Sequence, residues 1–537
     1  MQKTLSSDKK TLGQAINNDL AALRDLQKLS DENGQLKDEN QSLKNRIAWF
    51  ENQMFGQKSE KRQIDNPYQG NLLDEPTQTA IEVEPKQKKD NNHQRGKAPK
   101  SRPDDCVTDS GLRFGKEVPV KIIEVTPAEL QGKDADQWEV IGTKVSRKLA
   151  KLPASYVVLE YHLPVLKKKA TDELKTTLMP EQVLEGSIAD VSLVAGLLTD
   201  KFLYHLPLHR QHQKIQQAGI TLARPSLTNW TQRAIELLRP IVEAQLVNVL
   251  QSKVLAMDET PIKAGRKQKG KMKSAYFWPV YGDDHEVVFT YSASRGKQHI
   301  IDTLENEFSG TLVTDGYAAY ARYVEKTEGI THAQCWVHSR RYLVNAQDSS
   351  PTEIEQALGL IGQLYQGEKV IQETQLTGEK KRAYRLEHSK PKVDAVFEWL
   401  DEQCQRTDLT PKHPLTKAIK YIKTRETELR VFLEDPDVPM DTNHLEREIR
   451  PIPMGKKNWM FCWTELGAEH VGLIQSLIST CKLHDINPHT YLTDVLQRVS
   501  HHPMSRVEEL TPRLWKEKFA DDPMRSVLYK AVNTITE

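Results

Sequence analysis

The stretches Val254-Leu255-Ala256-Met257-Asp258-Glu259-Thr260-Pro261 and Thr311-Leu312-Val313-Thr314-Asp315-Gly316-Tyr317 decide the fold. Each is a short apolar or β-branched run that ends on an acid, the pattern of a buried strand that stops where turn residues begin. Between them, Tyr276 to Tyr281 and Val287 to Tyr291 read as two further strands, and Lys297 to Phe308 as a helix. The order is therefore strand, hairpin, helix, strand, with Asp258 and Asp315 each standing at a strand end. An isolated Asp in that position is commonly a turn or helix cap.

That order resembles a ribonuclease-H-like core, in which the first and fourth strands lie side by side and a later helix brings a third acid. Asn443-His444-Leu445-Glu446-Arg447-Glu448-Ile449-Arg450 has helical character and falls just before Pro451. Asp258-Glu259-Thr260-Pro261, Asp315-Gly316-Tyr317-Ala318, Cys335-Trp336-Val337-His338-Ser339-Arg340-Arg341, Asn443 to Arg447 and Gly455-Lys456-Lys457-Asn458-Trp459 resemble, in order, the signatures of the insertion-sequence-66 family of bacterial DDE transposases. Phe55-Gly56-Gln57-Lys58-Ser59-Glu60-Lys61, His205-Leu206-Pro207-Leu208 and the run Lys482 to Leu492 extend the likeness over most of the chain.

The resemblance implies that Asp258, Asp315 and Glu446 are the catalytic carboxylates and the ligands of two Mg2+ or Mn2+ ions. Hard oxygen donors suit those cations, and phosphodiester chemistry gains from two of them roughly 3.5–4 Å apart. Glu448 is the weaker choice, since two residues along a helix it points about 200° away. The implied activity is cleavage of the 3′ ends of an insertion sequence and strand transfer by direct transesterification. The alternatives are a metal-dependent nuclease without strand transfer, or a non-catalytic DNA-binding protein that keeps the fold.

Outward from this core, Leu29, Leu36, Leu43 and Phe50, with Asn33, Asn40, Ile47 and Met54, occupy heptad positions. They predict a coiled coil over 1–60 and, because buried Asn favours a paired register, a parallel homodimer. Gly34 argues for the alternative, an amphipathic helix packed on its own chain. Residues 61–105 lose aromatic residues and gain Gln, Asn, Pro and a basic run that includes Lys86, Lys88 and Lys89; this reads as a disordered linker, either attracting phosphates or merely solvated. A small β-rich module follows over 106–180. Residues 181–250 turn helical, with Ser226 as a candidate cap after Arg224 and Pro225 and a candidate helix-turn-helix around Gly219. The catalytic core takes 251–345 and 436–480. The 131 positions from Asp315 to Glu446 are too many for a bare connection, and helical periodicity there predicts an α-helical insertion over 346–435. A helical element occupies 481–537. The expected class is thus a multidomain α/β protein: a ribonuclease-H-like mixed sheet, an α-helical insertion, an N-terminal coiled coil and a helical DNA-binding region.

Composition is permissive rather than decisive. Of 537 residues, 38% are hydrophobic and 28% charged, and 75 Lys and Arg against 74 Asp and Glu leave a formal charge of +1, so local charge must decide whether an anion is bound. Candidate DNA contacts are Lys86, Lys88, Lys89, Arg224, Arg266, Lys267, Arg450, Lys456, Lys457 and Trp459. Trp459 could stack on a base or fill a core, and the Arg266–Lys273 run is either a basic hairpin or a solvated loop. The expected partners are double-stranded DNA, both the terminal inverted repeats of the element and its target, with companion proteins encoded by such elements. Family members commonly carry a cysteine-rich zinc segment, whereas here that stretch offers only Cys106 and later His162, so no zinc is expected. The odd, scattered cysteines and the lack of an apolar run of membrane length predict a cytoplasmic protein with no membrane contact.

Overall fold

The computed structural model describes residues 112–532 apart from 115–117, 132–136, 153–154, 170–173, 269 and 305–307, together with Asn33, Gly34 and Lys37. The expected zipper, except for those three helical residues, and the expected linker with Lys86, Lys88, Lys89 and Cys106 lie outside the described residues. The architecture is mixed α/β, and the chain divides into two compact units: one holds Ala333–Asp441, the other Ala80–His332 with Thr442–Glu537.

The larger unit opens with β1 (Arg113–Phe114) and a sheet of β2 (Val120–Glu124), β3 (Trp138–Leu152), β4 (Ser155–Lys168) and β5 (Leu174–Thr176), in which β3 and β4 form a long antiparallel ribbon and β2 runs parallel to β4. Alternate β4 residues Val157, Leu159, Tyr161 and Leu163 bury one face of the ribbon together with Leu528. Helices α1 (Val191–Phe202), α2 (Leu208–Gln217) and α3 (Arg224–Leu250) follow, with the two-residue β6 (Ile220–Thr221) between α2 and α3 pairing with β1. Ser226 is not the cap of α3. The helix already begins at Arg224, with Pro225 in its first turn, where the missing N–H costs nothing.

The main sheet contains β7 (Val254–Met257), β8 (Thr260–Gln268), β9 (Lys271–Tyr281), β10 (Val287–Ser292), β11 (Gly310–Thr314) and β12, which begins at Ile330. Its order is β10-β9-β7-β11-β12, with β8 also on β9. Helix α4 (Lys297–Leu304) precedes β11 and α5 (Ala318–Val324) follows it. The parallel pairing of β11 with β7 sets Leu312 beside Leu255 and Val313 beside Ala256. β11 starts so close to its neighbour that a side chain on Gly310 (φ +151°) would meet the Lys253 carbonyl at 2.2 Å, which only glycine avoids.

The smaller unit is helical: α6 (Trp336–Val344), α7 (Pro351–Glu373), α8 (Gly378–Tyr384), α9 (Lys390–Cys404), α10 (Pro414–Lys423) and α11 (Glu426–Glu434). The fully buried Arg385 organises it, pairing with Glu368 at 2.7 Å and donating to the Phe432 and Val438 carbonyls. Among the described residues, six α-helices complete the larger unit: α12 (Asn443–Ile449), α13 (Pro451–Trp459), α14 (Glu465–Leu483), α15 (Pro488–Arg498), α16 (Pro512–Phe519) and α17 (Val527–Val532).

The outer edge of β10 is closed by side chains of α14. Gly472, Ser476 and Thr480 recur every four residues along one face of the helix. Gly472 lets the helix approach until a Cβ would lie 2.5 Å from the Phe289 carbonyl, Ser476 Oγ accepts from the Phe289 N–H at 2.8 Å and Thr480 Oγ1 from the Val287 N–H at 3.2 Å. Gln245 of α3 donates to the Val287 carbonyl at 2.9 Å. The Val287 N–H and C=O and the Phe289 N–H, which an edge strand would otherwise leave free, are thus met without another strand. No described helix is long and apolar enough to cross a membrane.

Candidate active site

β7 and β8 are two halves of one strand. Met257 pairs with Val280 and Thr260 with Phe277, so a single register runs through both halves. That register sets the two residues left between them, Asp258 and Glu259, against Pro279 and Trp278. Pro279 has no N–H to donate, and the ladder opens there. On the other side of β7, continuing the β11 register brings Asp315 next to Asp258 at the carboxyl ends of adjacent parallel strands, which lie about 4.8 Å apart in any sheet. Carboxylate oxygens of Asp258, Glu259 and Asp315 accordingly fall within 4.8 Å of one another, and an oxygen of Glu446 falls within the same distance of Asp258.

Each acid is held by its own backbone or by a neighbour. Asp258 Oδ1 accepts from the Glu259 N–H at 2.7 Å and Asp315 Oδ1 from the Tyr317 N–H at 2.8 Å. Glu259, with its side chain only 2% exposed, is gripped by Arg295, whose Nε lies 2.7 Å away, and by Tyr320 Oη at 3.1 Å. Arg295 lies over the Tyr317 ring at 4.2 Å. Beneath the cluster, Thr314 Oγ1 meets His332 Nε2 at 2.9 Å.

Burial, then the charges of Asp315, Glu259 and Glu446, pushes Asp258 up to about 8. Glu259 is also raised, by burial and by Asp315, against the opposing pull of Arg295. Two buried acids raised by the like charges around them, with Arg295 paired to Glu259, make a pocket of concentrated negative charge. Hard oxygen donors so arranged fit a divalent cation such as Mg2+ or Mn2+.

Glu446 lies in the first turn of α12, a helix set against the sheet by the edge-on contact of His444 with Tyr281, their rings 4.7 Å apart. Glu448 turns elsewhere, hydrogen-bonded to Ser479. Of the candidate DNA contacts, Arg266 and Lys267 are exposed on β8, Lys456 reaches the Pro261 carbonyl at 3.3 Å and Lys457 is exposed on α13. Trp459 folds back over Gly455, its Nε1 2.7 Å from where a Cβ would stand. Arg450 joins α12 to α13, while Arg224 is exposed at the start of α3 and belongs to no such group.

Sequence reasoning missed Glu259 and Arg295. Strand alternation sends neighbours to opposite faces, so an acid directly after Asp258 reads as facing away; the broken ladder cancels that rule. The signal that was available was Pro279 in the partner strand. Nothing in the local sequence marks Arg295.

Two acids end adjacent parallel strands of a mixed sheet, with more carboxylates gathered around them, and together they form an acidic cluster at a strand-end crevice. Residues 186–470 match the family model described as Transposase IS66 family, residues 476–513 the IS66 C-terminal element, and residues 42–104 the model described as Transposase C of IS166 homeodomain. The first spans more than half of the chain and includes all four acids; the chain belongs to the IS66 transposase family. It is similar to uncharacterized protein y4hP of Sinorhizobium fredii (strain NGR234), 28% identical over 71% of this chain and 72% of that one. To y4jD of the same organism it is 29% identical over 63% and 68%, and to y4qI 26% over 73% and 75%.

Proposed function

We propose that this chain cleaves the 3′ ends of its element and joins them to target DNA by direct transesterification, with Asp258, Asp315 and Glu446 as the catalytic carboxylates. The observation that carries the reading is the side-by-side placement of Asp258 and Asp315 with Glu446 reaching the same Asp258. The strand order, with the two acids on its central parallel pair, supports a ribonuclease-H-like core. Asp258, Asp315 and Glu446 would hold two Mg2+ or Mn2+ ions, and Glu259 is a competitor for one ligand place. Ions bound there would polarise the scissile phosphate and make a water or 3′-hydroxyl a better nucleophile.

The chain's own groups do the rest. Arg295 fixes Glu259 and keeps an exposed guanidinium edge for a phosphate oxygen. Arg266, Lys267, Lys456 and Lys457 position the DNA backbone without reading its sequence. The homeodomain-like match over 42–104 supports DNA contact by the basic stretch around Lys86 to Lys89, and residues 1–60 pair two chains as a coiled coil so that two element ends are held together, with companion proteins of the element as further partners.

The test is a labelled duplex carrying the element's end, incubated with Mg2+ or Mn2+ and unlabelled target. Joined products support the reading; cleavage without joining makes the chain a nuclease, and binding without either makes it a DNA-binding protein on the same fold.

A further inference from the structure

The connection from α13 to α14 is pinned along β8. The Cys462 N–H donates to the Lys263 carbonyl at 2.8 Å and the Gly265 N–H to the Cys462 carbonyl at 3.1 Å, a short parallel bridge. Within this fixed connection, Met460 is held in the left-handed region (φ +66°), and both Met460 and Trp463 are 66% exposed. Phe461 packs its ring edge-on to Trp463 at 5.1 Å. A single exposed apolar residue on a surface is ordinary. An indole held outward by a braced and strained backbone, beside a second apolar side chain, is pre-organised for a partner.

The surroundings say which partner. Arg266, Lys267, Lys271 and Lys457 are exposed around this connection and form no ion pair among the described residues. The nearby acid, Glu465, is already committed to Lys273 at 2.6 Å. An aromatic face inside a cationic field suits a nucleobase with its phosphates, because the ring stacks on any base while the cations follow the backbone. Position agrees. Lys263 lies five residues beyond Asp258 on the continuous β7–β8 strand, roughly 17 Å at ~3.3 Å per residue, or about five steps of a DNA strand.

We propose that Trp463 is a stacking platform for an unpaired base of the DNA strand that the β8–β9 hairpin leads to the carboxylates, so that this face binds single-stranded or frayed DNA rather than intact duplex. The inference rests on the DNA-processing reading and adds the form of DNA that the site accepts.

The experiment measures binding of the full chain to fluorescein-labelled oligo-dT and to a blunt duplex of the same length, across a salt series. Trp463→Ala should weaken oligo-dT binding roughly 5- to 150-fold, the equivalent of ~1–3 kcal/mol for one stacked base, and leave duplex binding and the thermal midpoint unchanged. Trp463→Phe should restore most of the loss. Arg266→Ala with Lys267→Ala should flatten the salt dependence, whereas Trp463→Ala should not, since a neutral contact releases no counterions. Equal losses on both DNAs, no loss on oligo-dT, no rescue by Phe, or a change only in sedimentation that reveals a protein interface would each overturn the proposal. If Trp463-dependent oligo-dT binding persists in a protein that neither cleaves nor joins, the catalytic reading fails and the platform stands; cleavage and joining with Trp463 neutral reverses that outcome.

Discussion

Replacing Asp258 by Asn should stabilise the metal-free protein, and the gain should grow with pH. With Asp258 pushed up to about 8 in the fold against ~3.9 in an unfolded chain, the folded protein keeps a proton that the unfolded one has released throughout that interval. Stability then falls as pH rises, by up to ~1.4 kcal/mol per pH unit; the contribution is complete below about pH 4 and spent by about pH 8. From pH 5 to 8 the limit is ~4 kcal/mol, and partial water access trims it to about 2–4 kcal/mol. Asn keeps the shape and carries no charge, so wild type and variant should nearly coincide at about pH 4, differ by up to ~1.5 kcal/mol at pH 5, and separate by the further ~2–4 kcal/mol between pH 5 and pH 8. The assay is urea unfolding in chelator at several pH values, read as the difference between the two proteins. Glu286, raised to about 7 by burial, adds a slope of the same sign to both and cancels. Excess Mn2+ should close the gap from the wild-type side, by ~2.7 kcal/mol at a hundred times its dissociation constant. A variant less stable at pH 8, or a difference that does not change with pH, would refute the view of this cluster as charge held in reserve for a cation.

The remaining expectations use other parts of the molecule. Glu446→Gln should lower end cleavage and joining by at least about 10²-fold with gel-shift binding retained, and Glu448→Gln, whose carboxyl meets Ser479, should do much less; the reverse order would move the third acid along the helix. Ser476→Ala should cost ~1–3 kcal/mol by leaving the Phe289 N–H unsatisfied, and Gly472→Val about as much by overpacking, both measurable as lower urea midpoints. Arg385→Met should destabilise the helical unit by about 3–5 kcal/mol, because Glu368 and the carbonyls around it lose their cation; limited proteolysis within 333–441 is the sensitive readout.

The acids at the strand ends were legible because their strands are short apolar runs closed by turn residues, a pattern that needs no knowledge of partners. Within 346–435, α7, α9, α10 and α11 carry buried apolar residues at helical spacing and were legible for the same reason, whereas α8, Gly378–Tyr384, buries no residue and carries no such stripe. The break at Thr424–Arg425, which divides the expected run Leu415 to Phe432 into α10 and α11, was not legible either. β8 was hidden. Its alternation of Ile262 and Ala264 inside with Lys263 outside is short and runs into Arg266 and Lys267, so a loop fitted the sequence as well as a strand. The exposure of Trp463 and the inward fold of Trp459 are tertiary facts: two tryptophans four residues apart carry no sequence mark that tells the stacking face from the packed one.

How the third acid reaches the first follows from the same reasoning. Asp258 and Asp315 owe their distance to a ladder, so any sequence that keeps the β7–β11 register keeps the pair together. Glu446 has no ladder. Its helix is seven residues long, too short to be stable alone, and takes its place from burying Leu445 and Ile449 and from His444 against Tyr281. Burial holds the His444 imidazole down at about 4 and the Tyr281 hydroxyl up at about 12, so both rings are neutral across the physiological range and can be buried without a counter-charge. The anchor therefore keeps its charge state at the pH near which Asp258 loses its proton. The site separates two tasks, with neutral aromatic packing fixing the position of an acid and the clustered acids supplying the charge, and a change in one need not displace the other.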